Sequence, residues 1–425
     1  MGGSPDGAQS AELFARARRV LVGGVNSPVR AMRGIARDPV FIDRAEGVHV
    51  WDADGNRYVD YLASWGPAIT GHADPMIIGD VRDALPRGTS YGAPTEREVL
   101  FAETVVEAFP SIERLRMTSS GSEAVMGAVR LARAATGREA IVKAEGGYHG
   151  AIDGLLAQAG SGATTLGVPT SPGVTSGATA ATRLVPYNDL AAAEAALEGA
   201  AAIIIEPIAG NMGVVPPAPG YLEGLRAACD RTGALLILDE VITGFRVARG
   251  GAQELFGVRA DLTCLGKIIG GGLPVGAFGG RADVMRELAP EGPCYQAGTL
   301  SGNPLATTAG LAVMCRLAET GTYERLEENG ARLEQVITDS GAPVTINRVG
   351  SMLTPFFTDA PVTDYAGATA CNTDMYARVA RALLARGIYP PPSQYEAWFT
   401  STLHGEAEFA ATAEALAGAL EEAAA

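Results

Sequence analysis

The rhythm of apolar and polar residues changes three times along the chain, and each rhythm implies a different kind of element. Residues 11–22 form a short amphipathic helical pattern, after which the chain is rich in Gly, Pro and Arg up to about residue 37. The segment 41–62, FIDRAEGVHVWDADGNRYVDYL, alternates around the turn signal Asp54-Gly55 and predicts a small antiparallel meander. From about residue 95, helical patterns alternate with short apolar strands at 115–118, 140–143, 201–205 and 234–238. The runs AAIII and ALLIL are apolar on both faces, as in parallel strands covered by helices on each side. Beyond Pro304 the strong strands thin out; helices are predicted near 305–319 and 323–340, then a mixed stretch ending in an Ala- and Glu-rich helix. The pattern predicts an α/β protein: an N-terminal segment over 1–65, a large domain with a mostly parallel sheet over 66–304, and a smaller α+β domain over 305–425. The stretch 159–182 is too polar and glycine-rich for a regular element, and its length suits a functional lid. No internal repeat is present.

Composition narrows the function classes. Of 425 residues, 47% are hydrophobic and 19% charged, which is globular despite 54 Gly and 25 Pro. The net charge of -15 argues against nucleic acid as a partner, since a phosphate backbone needs clustered Lys and Arg. The N-terminus has no apolar stretch typical of a secretory leader, and no run approaches the roughly 20 apolar residues that span a bilayer. A soluble cytoplasmic protein without a membrane partner is therefore expected. The five cysteines are widely spaced with no C-x-x-C pair, and none of the four histidines is paired at metal-ligand spacing. A disulfide framework and a metal centre are both disfavoured.

One count sharpens the chemistry: of 33 basic residues 31 are Arg, leaving Lys143 and Lys267 as the only lysines. Arginine is never deprotonated in practice and cannot replace lysine as an imine-forming amine, so each surviving lysine is informative. Lys267 follows an apolar stretch and precedes IIGGGLPVG. There desolvation lowers an amine's pKa, while glycines let a planar cofactor approach. The P-loop pattern does not fit, because Ile268 stands where Ser or Thr is needed. The plain alternative is a lysine reaching solvent, and Lys143, at a strand end, is a second candidate amine. Ser119-Ser120-Gly121-Ser122-Glu123-Ala124 follows a strand and opens a helix, a place that favours a phosphate, although simple serine capping explains it equally. Asp239-Glu240 closes the ALLIL strand at the edge where open α/β sheets bind ligands. A carboxylate there suits a protonated pyridine nitrogen; helix capping is the alternative, especially for Glu240. Glu206 similarly closes the AAIII strand. Lysine, strand-end aspartate and phosphate turn together point toward a pyridoxal phosphate enzyme.

At this point the sequence resembles the class III aminotransferases and, more narrowly, the glutamate-1-semialdehyde 2,1-aminomutases. The resemblance runs from GGVNSPVRA (23–31) to PPSQYEA (391–397). Between them lie SWGP (64–67), EGGYHG (145–150), AGSGATTLG (159–167), EPIAGNMG (206–213), DEVITGFR (239–246) and QAGTLSGNP (296–304). It implies a fold type I homodimer with active sites at the interface and pyridoxal 5′-phosphate or pyridoxamine 5′-phosphate as cofactor. Lys267 would bind the cofactor covalently and carry protons, Asp239 would hold the pyridine nitrogen, and Tyr148 would lie near the ring. Ser120, Gly121 and Ser122 would bind the phosphate with Thr299 of the partner subunit, and Asn211 would contact the cofactor side. Ser27, Arg30 and Trp65 match substrate positions, and Glu396 matches an acidic residue near the substrate amines. Arg30 has its own rationale, because a guanidinium fits a carboxylate bidentately. The implied reaction isomerises glutamate 1-semialdehyde to 5-aminolevulinate for tetrapyrrole synthesis, retaining a diamine under the lid, with transient contact to the upstream glutamyl-tRNA reductase. The chain departs from the usual motifs at Ser119, Asp74, Gly147, Ile242 and Pro390. A related aminotransferase acting on another amino acid or amine, and a non-catalytic pyridoxal-phosphate-binding protein, stay open as alternatives.

Overall fold

The computed structural model describes residues 8–157 and 171–424. Its centre is a seven-stranded sheet built from β4 (Arg114–Thr118), β5 (Ile141–Ala144), β6 (Thr182–Val185), β7 (Ala202–Ile205), β8 (Leu235–Asp239), β9 (Leu262–Leu265) and β10 (Gly276–Gly280). The strand order is β4-β10-β9-β8-β7-β5-β6, and only β10 runs antiparallel to its neighbours. Six strands therefore end on one edge, and every cavity residue described below follows one of those ends.

Side-chain alternation explains why β7 is apolar throughout, and why β5 and β8 are apolar apart from Lys143 and the terminal Asp239. Val142, Ile203, Ile205, Leu236 and Leu238 enter one core with Leu222, Leu225 and Cys229 of the helix Tyr221–Thr232. Ile141, Ala202, Ile204, Leu235 and Ile237 enter another with Ala124, Val125 and Ala128 of the helix Gly121–Thr136. The sheet is thus buried on both faces, as an all-apolar parallel strand requires.

Two smaller sheets flank it. The expected meander forms as β1 (Ile42–Glu46), β2 (His49–Asp52) and β3 (Arg57–Asp60), with the turn pinned by Asp52 Oδ1, which accepts from Asp54 N at 3.0 Å and Asn56 N at 2.8 Å. A fourth strand, β13 (Ile388–Tyr389), joins β3 in parallel. The third sheet holds β11 (Thr345–Val349), β12 (Met352–Phe356) and β14 (Trp398–Phe399). Met32, Val50, Tyr58 and Tyr61 share one core with Leu333, Tyr376, Leu383 and Leu416.

Two helical segments differ from expectation. The first helix spans Ala8–Val20, starting ahead of residue 11, because Asp54 reaches across to accept from Gln9 N and Ser10 N at 2.7 and 3.0 Å. Within the stretch 159–182, the segment Ser176–Thr179 is a single helical turn whose N-cap, Thr175, accepts from Ala178 N; residues 159–170 lie outside the described residues. The family motif AGSGATTLG falls wholly in that part. Among the described residues no helix is long and apolar enough to cross a membrane, and no group of His, Cys, Asp and Glu has a metal-binding arrangement.

Candidate active site

A cavity of about 230 Å³ opens at the carboxyl ends of the parallel strands, lined by Ser120, Gly121, Ser122, Tyr148, Asn211, Asp239 and Lys267 among others. They arrive from five strand ends, those of β4, β5, β7, β8 and β9. Ser120 is the N-cap of the helix Gly121–Thr136, and its Oγ accepts from Glu123 N at 3.2 Å. That leaves the N–H groups of Gly121 and Ser122, the first two of the helix, without an acceptor among the described residues. A side chain at 121 would not fit, since a Cβ there would lie 2.9 Å from Val241 Cγ2. The serine-capping and phosphate readings thus coexist: Ser120 caps one N–H, and the remaining donors and the helix dipole face the cavity.

Asp239 ends β8, is 5% exposed, and is held on both oxygens. Oδ1 accepts from Val241 N at 3.1 Å, and Oδ2 lies 2.8 Å from His149 Nδ1. His149 Nε2 is buried without a partner among the described residues. Sequence reasoning gave His149 no role, although its place beside Tyr148 in EGGYHG was the available signal. Glu240, by contrast, turns away from the cavity. It accepts from Ala252 N, Gln253 N and Thr243 Oγ1 at 2.6–3.0 Å and so caps the helix Gly251–Phe256.

Glu206, at the end of the neighbouring strand β7, also lines the cavity. It accepts from Tyr148 N at 3.0 Å, Gly210 N at 2.9 Å and Asn211 Nδ2 at 2.8 Å, joining the loops that carry Tyr148 and Asn211. Burial pushes its carboxyl above the usual range, His149 opposing and Asp239 adding to the effect. Tyr148 stands at the mouth, 39% exposed.

Lys267 follows β9 with a left-handed backbone, φ +47°, and makes no hydrogen bond or ion pair among the described residues. Burial lowers the affinity of its amine for a proton, while Glu396, Asp239 and Glu206 pull the other way. Lys143 contrasts with it. Its Nζ is fully buried and donates to Gly147 O at 2.9 Å, Leu155 O at 3.1 Å and Ala157 O at 3.0 Å, so all three protons are engaged. It is not a cavity amine; it ties the Tyr148 loop to β5.

Burial pushes Lys143 down to about 8. Between pH 8 and about 10.4 the unfolded chain therefore binds a proton that the folded chain does not, and folding gains stability as pH rises through that window. The unfolding free energy of the native chain minus that of Lys143→Met should rise by about 3 kcal/mol across it. Denaturant titrations at both ends of the window check this; a flat difference would remove the buried charge from the account.

The remaining candidates lie outside the cavity lining. Arg30 is exposed on the short turn Pro28–Ala31 next to Ser27, and Thr299 is exposed on a distant turn. Trp65 is half-buried, while Glu396 acts electrostatically on both Lys267 and Tyr148 and so lies near the cavity. The lining residues suit a phosphate-bearing pyridine cofactor: free N–H donors for the anion, a strand-end carboxylate for a ring nitrogen, and one amine without a partner.

This sheet, with an amine and a carboxylate at its carboxyl edge, defines a class, and the chain belongs to the class III aminotransferase family, whose model matches residues 32–389. The relatives narrow it further. The chain is 56% identical over 416 residues to the glutamate-1-semialdehyde 2,1-aminomutase of Pelotomaculum thermopropionicum, covering 96% of each, and 56% identical to that of Heliobacterium modesticaldum over 92% of each. Among solved structures it resembles an omega-transaminase from Sphaerobacter thermophilus, with TM-score 0.90, 35% identity, and 99% and 98% of the two chains covered. It also resembles a glutamate-1-semialdehyde-aminomutase from Pseudomonas aeruginosa in complex with PMP, with TM-score 0.86, 27% identity, and 97% and 94% covered.

Proposed function

We propose that this chain moves the amino group of glutamate 1-semialdehyde from C2 to C1, giving 5-aminolevulinate for tetrapyrrole synthesis, with pyridoxal 5′-phosphate and pyridoxamine 5′-phosphate as the two forms of its cofactor. The observation that carries this reading is the convergence of Lys267, Asp239 and the helix start at Gly121-Ser122 on one cavity. The 56% identity to named aminomutases across nearly the whole chain selects the reaction.

When bound, the cofactor supplies an amino group that can be given and taken back, and a ring that withdraws electrons from the carbon losing its proton. Gly121 N and Ser122 N, with the Ser120 and Ser122 hydroxyls, would hold the phosphate. Asp239, its orientation fixed by His149, would keep the ring nitrogen protonated. Tyr148 and Asn211, the latter braced by Glu206, would hold the ring. Lys267 Nζ takes a proton from one substrate carbon and returns it to another, which needs the neutral amine that burial favours. Arg30 binds the distal carboxylate of the substrate, Ser27 and Trp65 flank it, and Glu396 faces its amines. The amino group leaves and returns to one molecule, so no external acceptor is consumed.

Two copies complete this arrangement, with Thr299 of the partner subunit joining the phosphate site. The dimer is supported by the exposed apolar residues Ile78, Val99, Tyr295 and Leu300, the last two bracketing the turn that carries Thr299. Placement in the cytoplasm, with transient contact to the glutamyl-tRNA reductase that supplies the aldehyde, belongs to the same reading.

An amine balance tests it. Purified protein given glutamate 1-semialdehyde and no second substrate should form 5-aminolevulinate in large molar excess over enzyme. A strict requirement for an added keto acid would make the chain a transaminase, the reading that its likeness to the Sphaerobacter omega-transaminase favours.

A further inference from the structure

Four consecutive residues, Ala63, Ser64, Trp65 and Gly66, have φ values of +47°, +56°, +68° and +111°. Only the last is a glycine. For L-residues this left-handed region is sterically penalised, and a run of three persists only where the surroundings over-determine it. Both ends of the turn are gripped. Asp60 Oδ1 accepts from Leu62 N at 2.8 Å and Ala63 N at 3.2 Å, while its Oδ2 lies 2.7 Å from His72 Nε2. At the other end an Arg246 Nη2–H donates to Gly66 O.

Arg246 is an unusual choice of anchor. It is 1% exposed, yet no carboxylate lies within ion-pair distance of it among the described residues, and its Nε has no acceptor. A buried guanidinium without a counter-ion is costly, so the contacts it does make must require its shape. It reaches three groups at once: Gly66 O, Ser351 Oγ at 3.0 Å, and the face of Phe399 at 4.7 Å. A planar fork can do this; an ammonium cannot.

The gripped turn also has a defined neighbour. Ala63 packs in one cluster with Ile242, which lines the cavity, and with Ala397, which follows Glu396. Arg246 closes the DEVITGFR motif that begins at Asp239, so one short segment supplies the cavity carboxylate and the anchor of the turn beside it. We propose that Arg246 and Asp60 are positioning residues for substrate recognition, holding the 63–66 turn left-handed so that Ser64 and Trp65 form the cavity's substrate-side flank. The inference rests on the substrate role assigned to Trp65 above. Arg246 touches neither cofactor nor substrate; it acts through the turn.

The test uses cofactor-loaded protein carrying 5-fluorotryptophan at its three tryptophans, Trp51, Trp65 and Trp398. In Arg246→Met the fluorine resonance assigned to Trp65 should shift or broaden while that of Trp51 stays in place. KM for the semialdehyde should rise about tenfold or more, with kcat falling less and the cofactor absorbance unchanged. Arg246→Lys should show the same two changes, because the ammonium keeps the charge but cannot span the three contacts; it also serves if the methionine variant does not fold. An unchanged Trp65 resonance and KM in either folded variant would overturn the proposal. If the protein does not turn over the semialdehyde at all, the functional reading fails, and the resonance alone still decides whether Arg246 holds the turn.

Discussion

Lys267→Arg is expected to give a folded protein that retains cofactor weakly and forms 5-aminolevulinate at least about 10⁴-fold more slowly than the native chain. The guanidinium keeps a positive charge in the cavity but never offers a lone pair, so it can neither link to the cofactor nor carry a proton between carbons. Because Lys267 has no hydrogen bond or ion pair to lose among the described residues, the substitution costs little of the fold, and the thermal midpoint should change far less than the activity. Borohydride reduction of the loaded native protein followed by peptide mapping should place the cofactor mass on Lys267 and nowhere in the variant. The other lysine is a sharp control: Lys143 is sealed with all three protons committed to carbonyls. A label found there would overturn the assignment.

Asp239→Asn is expected to lower turnover roughly 10²- to 10³-fold while weakening cofactor retention less than about tenfold. The amide preserves size and one acceptor but removes the charge that keeps a ring nitrogen protonated. It also disturbs His149, since the bond at 2.8 Å between Asp239 Oδ2 and His149 Nδ1 must then be made by a neutral group. The readouts are the rate of product formation and the absorbance of the bound cofactor after gel filtration. If the variant turned over like the native chain, the role would pass to Glu206, the other carboxylate on the cavity. Glu240 is excluded as a substitute, because its oxygens cap a helix on the far side.

What could be read in advance follows from the range of the forces involved. Strands β7 and β8 were legible because burial on both faces forces an unbroken apolar run, a local signal. Asp239 and Lys267 were legible for a related reason: each sits at the end of a buried strand, where parallel topology gathers ligand groups, whereas Ser120 was legible from the S-S-G-S turn that opens a helix after the mixed strand β4. Strand β10, Gly276–Gly280, was not legible. Its GAFGG sequence reads as a loop, and it forms a strand because neighbouring backbones approach too closely for a side chain; a Cβ at Gly280 would lie 2.0 Å from Asp261 O. The pairing of His149 with Asp239 spans 90 residues and leaves no periodic trace. Lys143 looked like an alternative amine because sequence shows a lysine at a strand end but not the three carbonyls that a later loop folds over it.

The parallel pairing of β13 with β3 bears on how the molecule assembles during synthesis. Ile388 lies opposite Val59, so the N-terminal meander lacks its fourth strand until most of the chain has emerged. The open side of β3 presents unpaired peptide groups throughout that interval, and the apolar residues Tyr58 and Tyr61 await partners from 333 onward. Contacts of such long sequence separation form slowly, and an unpaired strand edge is a template for association with other chains. A ribosome-bound fragment ending near residue 330 should thus be cut by protease within the meander and bind chaperones. The released 425-residue chain should resist the same protease at that site once the last strand has docked.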